Sequence, residues 1–157
     1  MPQTRNDLPD NARKAMIDLL NARLIDCIDL RLAVKQAHWN VKGPNFIALH
    51  EMFDEMQARI DTFVDDIAER SVALSGVVAG TSQAVAAGSK LPPYPVAITK
   101  EQDHLNALAA AIAAFGKLAR EAIDAADEAG DKDTADLFTG VSRQMDKDLW
   151  FIEAHLG

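Results

Sequence analysis

The sequence predicts an all-α protein: a four-helix bundle with a short extra helix in a long crossover between the second and third helices. Apolar residues recur at three- and four-residue spacing along four long segments, which is the pattern of amphipathic helices. Glycine and proline interrupt this pattern briefly at two places and over residues 75–98 at a third. With 157 residues and 48% apolar content, the chain suits one domain. We therefore expect residues 1–9 to form a short tail and residues 10–157 to form the bundle.

The first predicted helix covers residues 10–39 and is followed by a tight turn at residues 42–45, Lys-Gly-Pro-Asn. The glycine of this turn can take a positive φ, and its proline cannot continue a helix. Asn45 is a favoured N-cap residue and is expected to cap the second helix, residues 45–74. The expected core face of the second helix comprises Phe46, Leu49, Phe53, Met56, Ile60, Phe63 and Ile67.

The third long helix is predicted over residues 99–129, with a glycine directly after it. Thr99 and Gln102 have the spacing of a capping box and are expected to open this helix. The last helix is expected to begin at an aspartate N-cap, either Asp131 or Asp133, and to extend to about residue 155.

The link between the second and third long helices is the long one. It covers residues 75–98 and contains a short segment, residues 82–87, that predicts one extra helix. Short links join antiparallel neighbours, so the other two links build two helical hairpins. Two short links and one long crossover are the connectivity of ferritin-like bundles.

Two pairs of potential metal ligands lie at i, i+4 spacing on the second helix: His50 with Asp54, and Asp65 with Glu69. The 11 residues from Asp54 to Asp65 amount to about three turns, so both pairs share one stripe, roughly 16 Å apart along the axis. No single metal ion can contact both pairs. If all four hold one centre, the second pair comes from another copy of the chain, antiparallel across a two-fold axis.

His38 lies just before the tight turn and can reach the start of the second helix. With the two pairs it makes a set of three carboxylates and two imidazoles. Such nitrogen and oxygen ligands suit iron(II), and also zinc or manganese, better than calcium or copper(I). Redox iron is the favoured occupant, because carboxylates can bridge two ions while water fills the remaining positions.

Two other motifs are rejected as sites. Glu101-x-x-His104 has the spacing of an in-bundle di-iron ligand pair, but the sequence has no second such pair, so His104 is expected to be structural. His50-Glu51-x-x-Asp54 resembles the zinc-protease motif HExxH but lacks its second histidine.

Three further residues are expected to take no part in the chemistry. Cys27 falls on the apolar side of the first helix and is expected to be an inert buried thiol. Trp150 is expected to anchor the core or an interface. Asp61 shares the ligand stripe and is expected to be either a surface acid or an acid that contacts the ligands without binding the metal.

Several stretches around the candidate ligands have a recognisable order of residues. They are 36–40 (QAHWN), 42–43 (KG), 46–54 (FIALHEMFD) and 65–70 (DDIAER), with further stretches at 103–105, 133–136 and 146–153. These stretches resemble the motifs of the Dps family, the DNA-protection-during-starvation proteins or mini-ferritins. The resemblance extends over nearly the whole chain from about Thr4.

This resemblance implies a hollow shell of twelve subunits with ferroxidase centres at the subunit two-folds. It also implies oxidation of iron(II), with hydrogen peroxide preferred to dioxygen, and storage of a ferric mineral that limits hydroxyl radicals. Trp39 corresponds to a tryptophan beside the family's centre that quenches stray oxidants. Each di-iron centre would be built from His38, His50 and Asp54 of one chain and Asp65 and Glu69 of its partner.

Three acids lie around the turn into the last helix, where the family's three-fold pores draw in cations. An acid at a helix start is equally a good cap, and Lys132 is an unfavourable neighbour for a cation pore. The three candidate pore residues are Asp127, Asp131 and Asp136.

The charge balance bears on the alternative function, a shell that binds and condenses DNA. The net charge of −8 disfavours a polyanion binder, because binding DNA needs Lys and Arg to displace phosphate counterions. The lysine-rich tails of DNA-binding family members are missing, since the first 14 residues hold three basic residues against two acidic ones. We therefore expect weak or absent DNA binding.

The cytoplasm is the expected compartment. The longest apolar stretches fall short of the ~20 residues needed to cross a bilayer. The N-terminal residues lack the cationic and apolar regions of a secretory signal, and the single cysteine agrees with a reducing compartment.

Overall fold

Five helices occur in the part of the chain that the computed structural model describes, residues 3–157. They are α1 (Asp10–Asn40), α2 (Phe46–Ala73), α3 (Ser82–Gly88), α4 (Glu101–Glu128) and α5 (Lys132–Glu153). No strand occurs in this range, in which an isolated bridge joins Lys42 to Lys100. The predicted all-α bundle with a short crossover helix is therefore confirmed. The predicted tail covers residues 1–9, and the first two of these lie outside the described range. Within the described range, no helix is long and apolar enough to span a bilayer.

The bundle consists of two antiparallel hairpins packed against each other. α1 packs along α2 and α4 along α5, while α1 also contacts α4 and α2 contacts α5. The short helix α3 lies against α1. Burial of large apolar side chains from all four long helices stabilises this arrangement. The fully buried side chains include Leu20, Leu30, Phe53, Ile60, Leu108, Phe115 and Phe138.

The predicted core face of α2 is confirmed at five of its seven positions. Phe63 is half-buried, and Phe46 is 42% exposed, so the buried face begins one turn later than predicted. The five fully buried residues are Leu49, Phe53, Met56, Ile60 and Ile67.

The start of α4 differs from the prediction. The helix begins at Glu101, and Lys100 in the N-cap position makes no side-chain hydrogen bond to it. The predicted capping box from Thr99 is wrong, because Thr99 pairs with the turn after α1: its carbonyl oxygen accepts the Lys42 N–H at 2.8 Å. This pairing keeps the chain before α4 extended.

Asn45 and Asp131 both occupy N-cap positions, as predicted, but they act differently. Asp131 caps α5 by accepting a hydrogen bond from the Thr134 N–H at 3.0 Å. Asn45 makes no side-chain cap bond to α2. It donates instead from its main chain and its side chain to the Glu101 carboxylate. The start of α2 is thus attached to α4.

Candidate metal centre

The hairpin of α1 and α2 brings His38 and His50 together. His38 lies in the last turn of α1 and His50 in the second turn of α2. Their rings stack with centroids 3.8 Å apart and an angle of 17° between the planes. The Nδ1 atom of each histidine lies 2.7 Å from the carbonyl oxygen of the other.

These two reciprocal hydrogen bonds define the tautomer of each imidazole. A carbonyl oxygen can only accept, so each Nδ1 carries the hydrogen and donates it. The neutral ring then keeps its lone pair on Nε2, which is the atom left to bind a metal ion. The fold therefore leaves each histidine with an Nε2 lone pair that could bind a metal ion.

Asp54 lies one helical turn beyond His50 and contacts a competing cation. Its Oδ1 atom is 2.6 Å from Lys35 Nζ and 4.0 Å from His38 Nε2. The Lys35 hydrogen bond is the largest cause that lowers the pKa of Asp54; desolvation opposes it, and the charge of Lys35 adds to it. Asp54 is thus ionised at neutral pH and can bind a cation that displaces Lys35.

Two basic residues near the candidate ligands were not predicted. Lys35 pairs with Asp54, and Arg31 pairs with Asp61 at 2.6 Å. Both basic residues lie on the His38 side of α1, at spacings of three and seven residues, so helical periodicity could have revealed them. The structure thus places two cations of α1 against the acidic stripe of α2.

Asp65 and Glu69 lie apart from the histidine pair. Both are exposed on α2, and Asp65 lines a surface groove of about 400 Å³ with Arg31 and Asp61. From the helical rise, Asp65 lies roughly 16 Å from Asp54 along the axis. Across residues 3–157, no three His, Cys, Asp or Glu side chains converge closely enough to hold one metal ion. One copy therefore carries two separated halves, and the five-ligand centre between copies stays a prediction.

Exposed apolar side chains lie close to the two histidines in sequence. Trp39, which follows His38, is 64% exposed, and Ile47 is 61% exposed. The ring of Phe46 lies 5.1 Å from that of His50 and is also partly open to solvent. Clustered apolar side chains on a surface indicate contact with another protein chain. We call Trp39, Phe46 and Ile47 the apolar patch.

The three predicted pore acids lie in different settings. Asp131 is buried, caps α5 and accepts a hydrogen bond from Arg70 at 2.8 Å. Its carboxylate is therefore engaged inside the protein and unsuited to a cation pore. Asp127 forms an ion pair with Lys132, and Asp136 is exposed. A pore role for Asp127 and Asp136 stays a prediction.

His104 has a structural setting. It is buried, its Nδ1 accepts a hydrogen bond from the Tyr94 hydroxyl at 2.6 Å, and its Nε2–H donates to the Ile98 carbonyl oxygen at 3.1 Å. Burial is the largest cause that lowers the pKa of His104. With both ring nitrogens engaged, His104 cannot pair with Glu101 as a metal ligand.

Cys27 and Trp150 occupy contrasting positions. Cys27 is buried, and burial raises the pKa of its thiol, which agrees with the expected inert residue. Trp150 is 62% exposed, so it is not a core residue. Of the two predicted roles for Trp150, only the interface anchor remains.

Comparison with known proteins identifies the family. The family model described as a ferritin-like domain matches residues 17–157. The DNA protection during starvation protein of Agrobacterium fabrum is 51% identical over 154 residues, which cover 98% of this chain and 95% of that protein.

Two solved structures share the fold closely. Mycobacterium smegmatis Dps matches with a TM-score of 0.94 at 32% identity, covering 99% of this chain and 94% of that one. DpsA14 from Streptomyces coelicolor matches with a TM-score of 0.93 at 37% identity, covering 98% and 90% respectively. The resemblance predicted from the sequence motifs is confirmed, and the chain belongs to the Dps family of ferritin-like proteins.

Proposed function

We propose that the protein oxidises iron(II) and stores the ferric product as a mineral inside a hollow shell of twelve copies. One observation supports this most directly: the hydrogen bonds of His38 and His50 leave both Nε2 atoms free, and His38 Nε2 lies 4.0 Å from Asp54 Oδ1. Membership of a ferritin-like family supports an iron-handling role for this arrangement.

The proposed centres lie where two α2 helices meet in antiparallel orientation. A two-fold axis midway between Asp54 and Asp65 brings the histidine half of one copy to the acidic half of the other. Each such contact then forms two centres and covers the apolar patch. The ligands of each centre would be His38, His50 and Asp54 of one copy and Asp65 and Glu69 of the partner subunit.

Iron(II) is the proposed substrate, and the ligand set suits its chemistry. Imidazole nitrogen and carboxylate oxygen bind iron(II), and zinc(II) or manganese(II) can occupy the same ligands. Anionic carboxylates stabilise iron(III) over iron(II) by electrostatic attraction, which favours oxidation. Two iron(II) ions supply the two electrons that convert one hydrogen peroxide molecule to two hydroxide ions, so no hydroxyl radical is released. Dioxygen is the second candidate oxidant.

Three residues outside the ligand set have additional roles in this proposal. The exposed indole of Trp39 directly follows His38, so it can donate an electron to a stray oxidant formed at the centre. Asp127 and Asp136 are exposed and acidic. We assign them to attracting cations towards the shell interior.

Subunit mixing tests the shared centre. When both chains of a two-fold contact carry the same substitution, His50→Ala or Asp65→Ala removes a ligand from both centres. Each variant alone is therefore expected to lose rapid oxidation in an assay that adds peroxide after anaerobic iron(II) loading. In a one-to-one co-assembly, half of the contacts join unlike chains and keep one intact centre of two. Mixing is therefore expected to restore roughly a quarter of the wild-type rate.

Two controls complete this experiment. His155→Ala is expected to keep the wild-type rate, because this exposed histidine lies beyond the end of α5. Native mass spectrometry confirms that mixed assemblies have formed. Full activity in His50→Ala or Asp65→Ala, or no recovery in verified mixed assemblies, would rule out the shared centre. Anomalous scattering from crystals soaked with iron(II) would show where the ions lie.

Protection of DNA, from which the Agrobacterium relative takes its name, is proposed here to come from removing iron(II) and peroxide in the cytoplasm. The net charge of −8 makes direct contact with phosphate unfavourable. A DNA-condensing role is the alternative.

A further inference from the structure

Glu101 joins the start of α4 to the turn between α1 and α2. Its Oε1 atom accepts the Asn45 main-chain N–H at 2.5 Å, and its Oε2 atom accepts a hydrogen bond from Asn45 Nδ2 at 3.2 Å. Two main-chain hydrogen bonds reinforce this junction: Lys42 N–H donates to the Thr99 carbonyl at 2.8 Å, and Glu101 N–H donates to the Lys42 carbonyl at 3.2 Å. A carboxylate from another helix thus lies at the N-terminus of α2, where negative charge is favoured.

Gly43 leaves the space that this contact needs. Its φ is +154°, and a Cβ atom added there would overlap the Glu101 carboxylate. A larger residue at position 43 would therefore push Glu101 away from Asn45. The turn and the carboxylate are matched in shape.

The same turn controls the separation of the two candidate histidines. His38 lies in the last turn of α1, and His50 lies five residues after Asn45. Their reciprocal Nδ1–H···O hydrogen bonds are both 2.7 Å long. Hydrogen bonds weaken beyond ~3.2 Å, so a displacement of roughly 0.5 Å at the start of α2 would loosen both. Each imidazole could then carry its hydrogen on Nε2, where it blocks metal binding.

We propose that Glu101 is a positioning residue for the histidine pair. It holds the first turn of α2 so that His38 and His50 keep both Nε2 lone pairs available. The N-cap residue of α2 does not hold this turn itself, because the Asn45 side chain makes no cap hydrogen bond to the helix. The consequence for metal binding rests on the proposed function, whereas the tautomers themselves can be measured without metal.

Solid-state NMR of sedimented, metal-free protein with nitrogen-15 histidine measures the tautomers. His38 and His50, assigned through single His→Gln variants, are expected to be protonated at Nδ1 in wild type. Glu101→Ala is expected to shift part of both populations to protonation at Nε2. Glu101→Gln is expected to restore the wild-type signals, because its amide oxygen still accepts the Asn45 N–H.

Thr81→Ala is the matched control. It removes the hydrogen bond from the Ala84 N–H to the Thr81 hydroxyl, which caps α3. The short helix α3 packs against the middle of α1, far from His38. Its imidazole signals are expected to match those of wild type. Unchanged signals in Glu101→Ala, or equal changes in Thr81→Ala, would overturn the proposal.

Calorimetric titration with zinc(II) measures the consequence for binding. Glu101→Ala is expected to bind about tenfold more weakly than wild type, with recovery in Glu101→Gln. Wild-type affinity in Glu101→Ala would also overturn the positioning role. If wild type itself binds no zinc(II), the proposed function fails, while the imidazole signals still decide the role of Glu101.

Discussion

Replacing Lys35 with methionine is expected to strengthen metal binding at the candidate centre. Lys35 Nζ lies 2.6 Å from Asp54 Oδ1. A metal ion bound to that oxygen at ~2.1 Å would lie within about 5 Å of the ammonium group. Charges of +1 and +2 at that distance in water repel enough to weaken binding about fifteenfold. Screening at physiological ionic strength reduces this factor to about fivefold.

The substitution also frees Asp54 from its ion pair, and an exposed pair of this kind adds at most about another fivefold. Methionine retains an apolar stem, which preserves the packing of the Lys35 methylene groups. The Lys35→Met variant is therefore expected to bind zinc(II) about five- to twenty-fivefold more tightly than wild type at physiological ionic strength.

Calorimetry at low and high ionic strength measures this gain, with Arg120→Met as the control. Arg120 pairs with Asp146 at 2.9 Å on the α4–α5 hairpin, so its replacement removes the same charge and a comparable exposed ion pair away from the ligands. The gain for Lys35→Met is expected to shrink as salt rises. Equal or weaker binding by Lys35→Met, or the same gain in Arg120→Met, would refute the role of Lys35 as a competing cation.

Plasmid DNA is expected to keep its electrophoretic mobility with the assembled protein at neutral pH and physiological salt, because a net charge of −8 per chain repels phosphate; a clear mobility shift would contradict this. Burial lowers the pKa of His104, so the unfolded state takes up the proton first as the pH falls. The free energy of unfolding is therefore expected to fall below about pH 6.5, by up to about 1.4 kcal/mol per pH unit relative to His104→Gln. Urea denaturation at constant protein concentration measures this difference, and equal pH profiles would count against it. After turnover with iron(II) and peroxide, mass spectrometry is expected to find more oxidation at Trp39 than at Trp150. The two indoles are 64% and 62% exposed, but only Trp39 adjoins a candidate ligand; similar oxidation at both would argue against a centre at His38.

Helix positions were predictable because they depend on local patterns. α1 begins at the predicted residue and ends one residue later than predicted, and α3 likewise extends one residue further. The predicted start of α4 at Thr99 was wrong because the Thr99 carbonyl oxygen accepts a hydrogen bond from Lys42, a residue distant in sequence. This contact overrides the capping signal of Thr99. Asp131 shows the opposite case, because its cap depends on Thr134 only three residues away.

The types of candidate ligand and their spacing could be predicted from the residues alone, since the rise and periodicity of a helix place Asp54 and Asp65 on one stripe whatever surrounds them. Three contacts became visible only in the folded protein. They are the stacking of His38 on His50, the ion pair of Lys35 with Asp54, and the hydrogen bonds from Asn45 at the start of α2 to Glu101. These contacts join residues 12 to 56 positions apart. They depend on how the helices cross and which side chains meet there, and no local pattern carries that information.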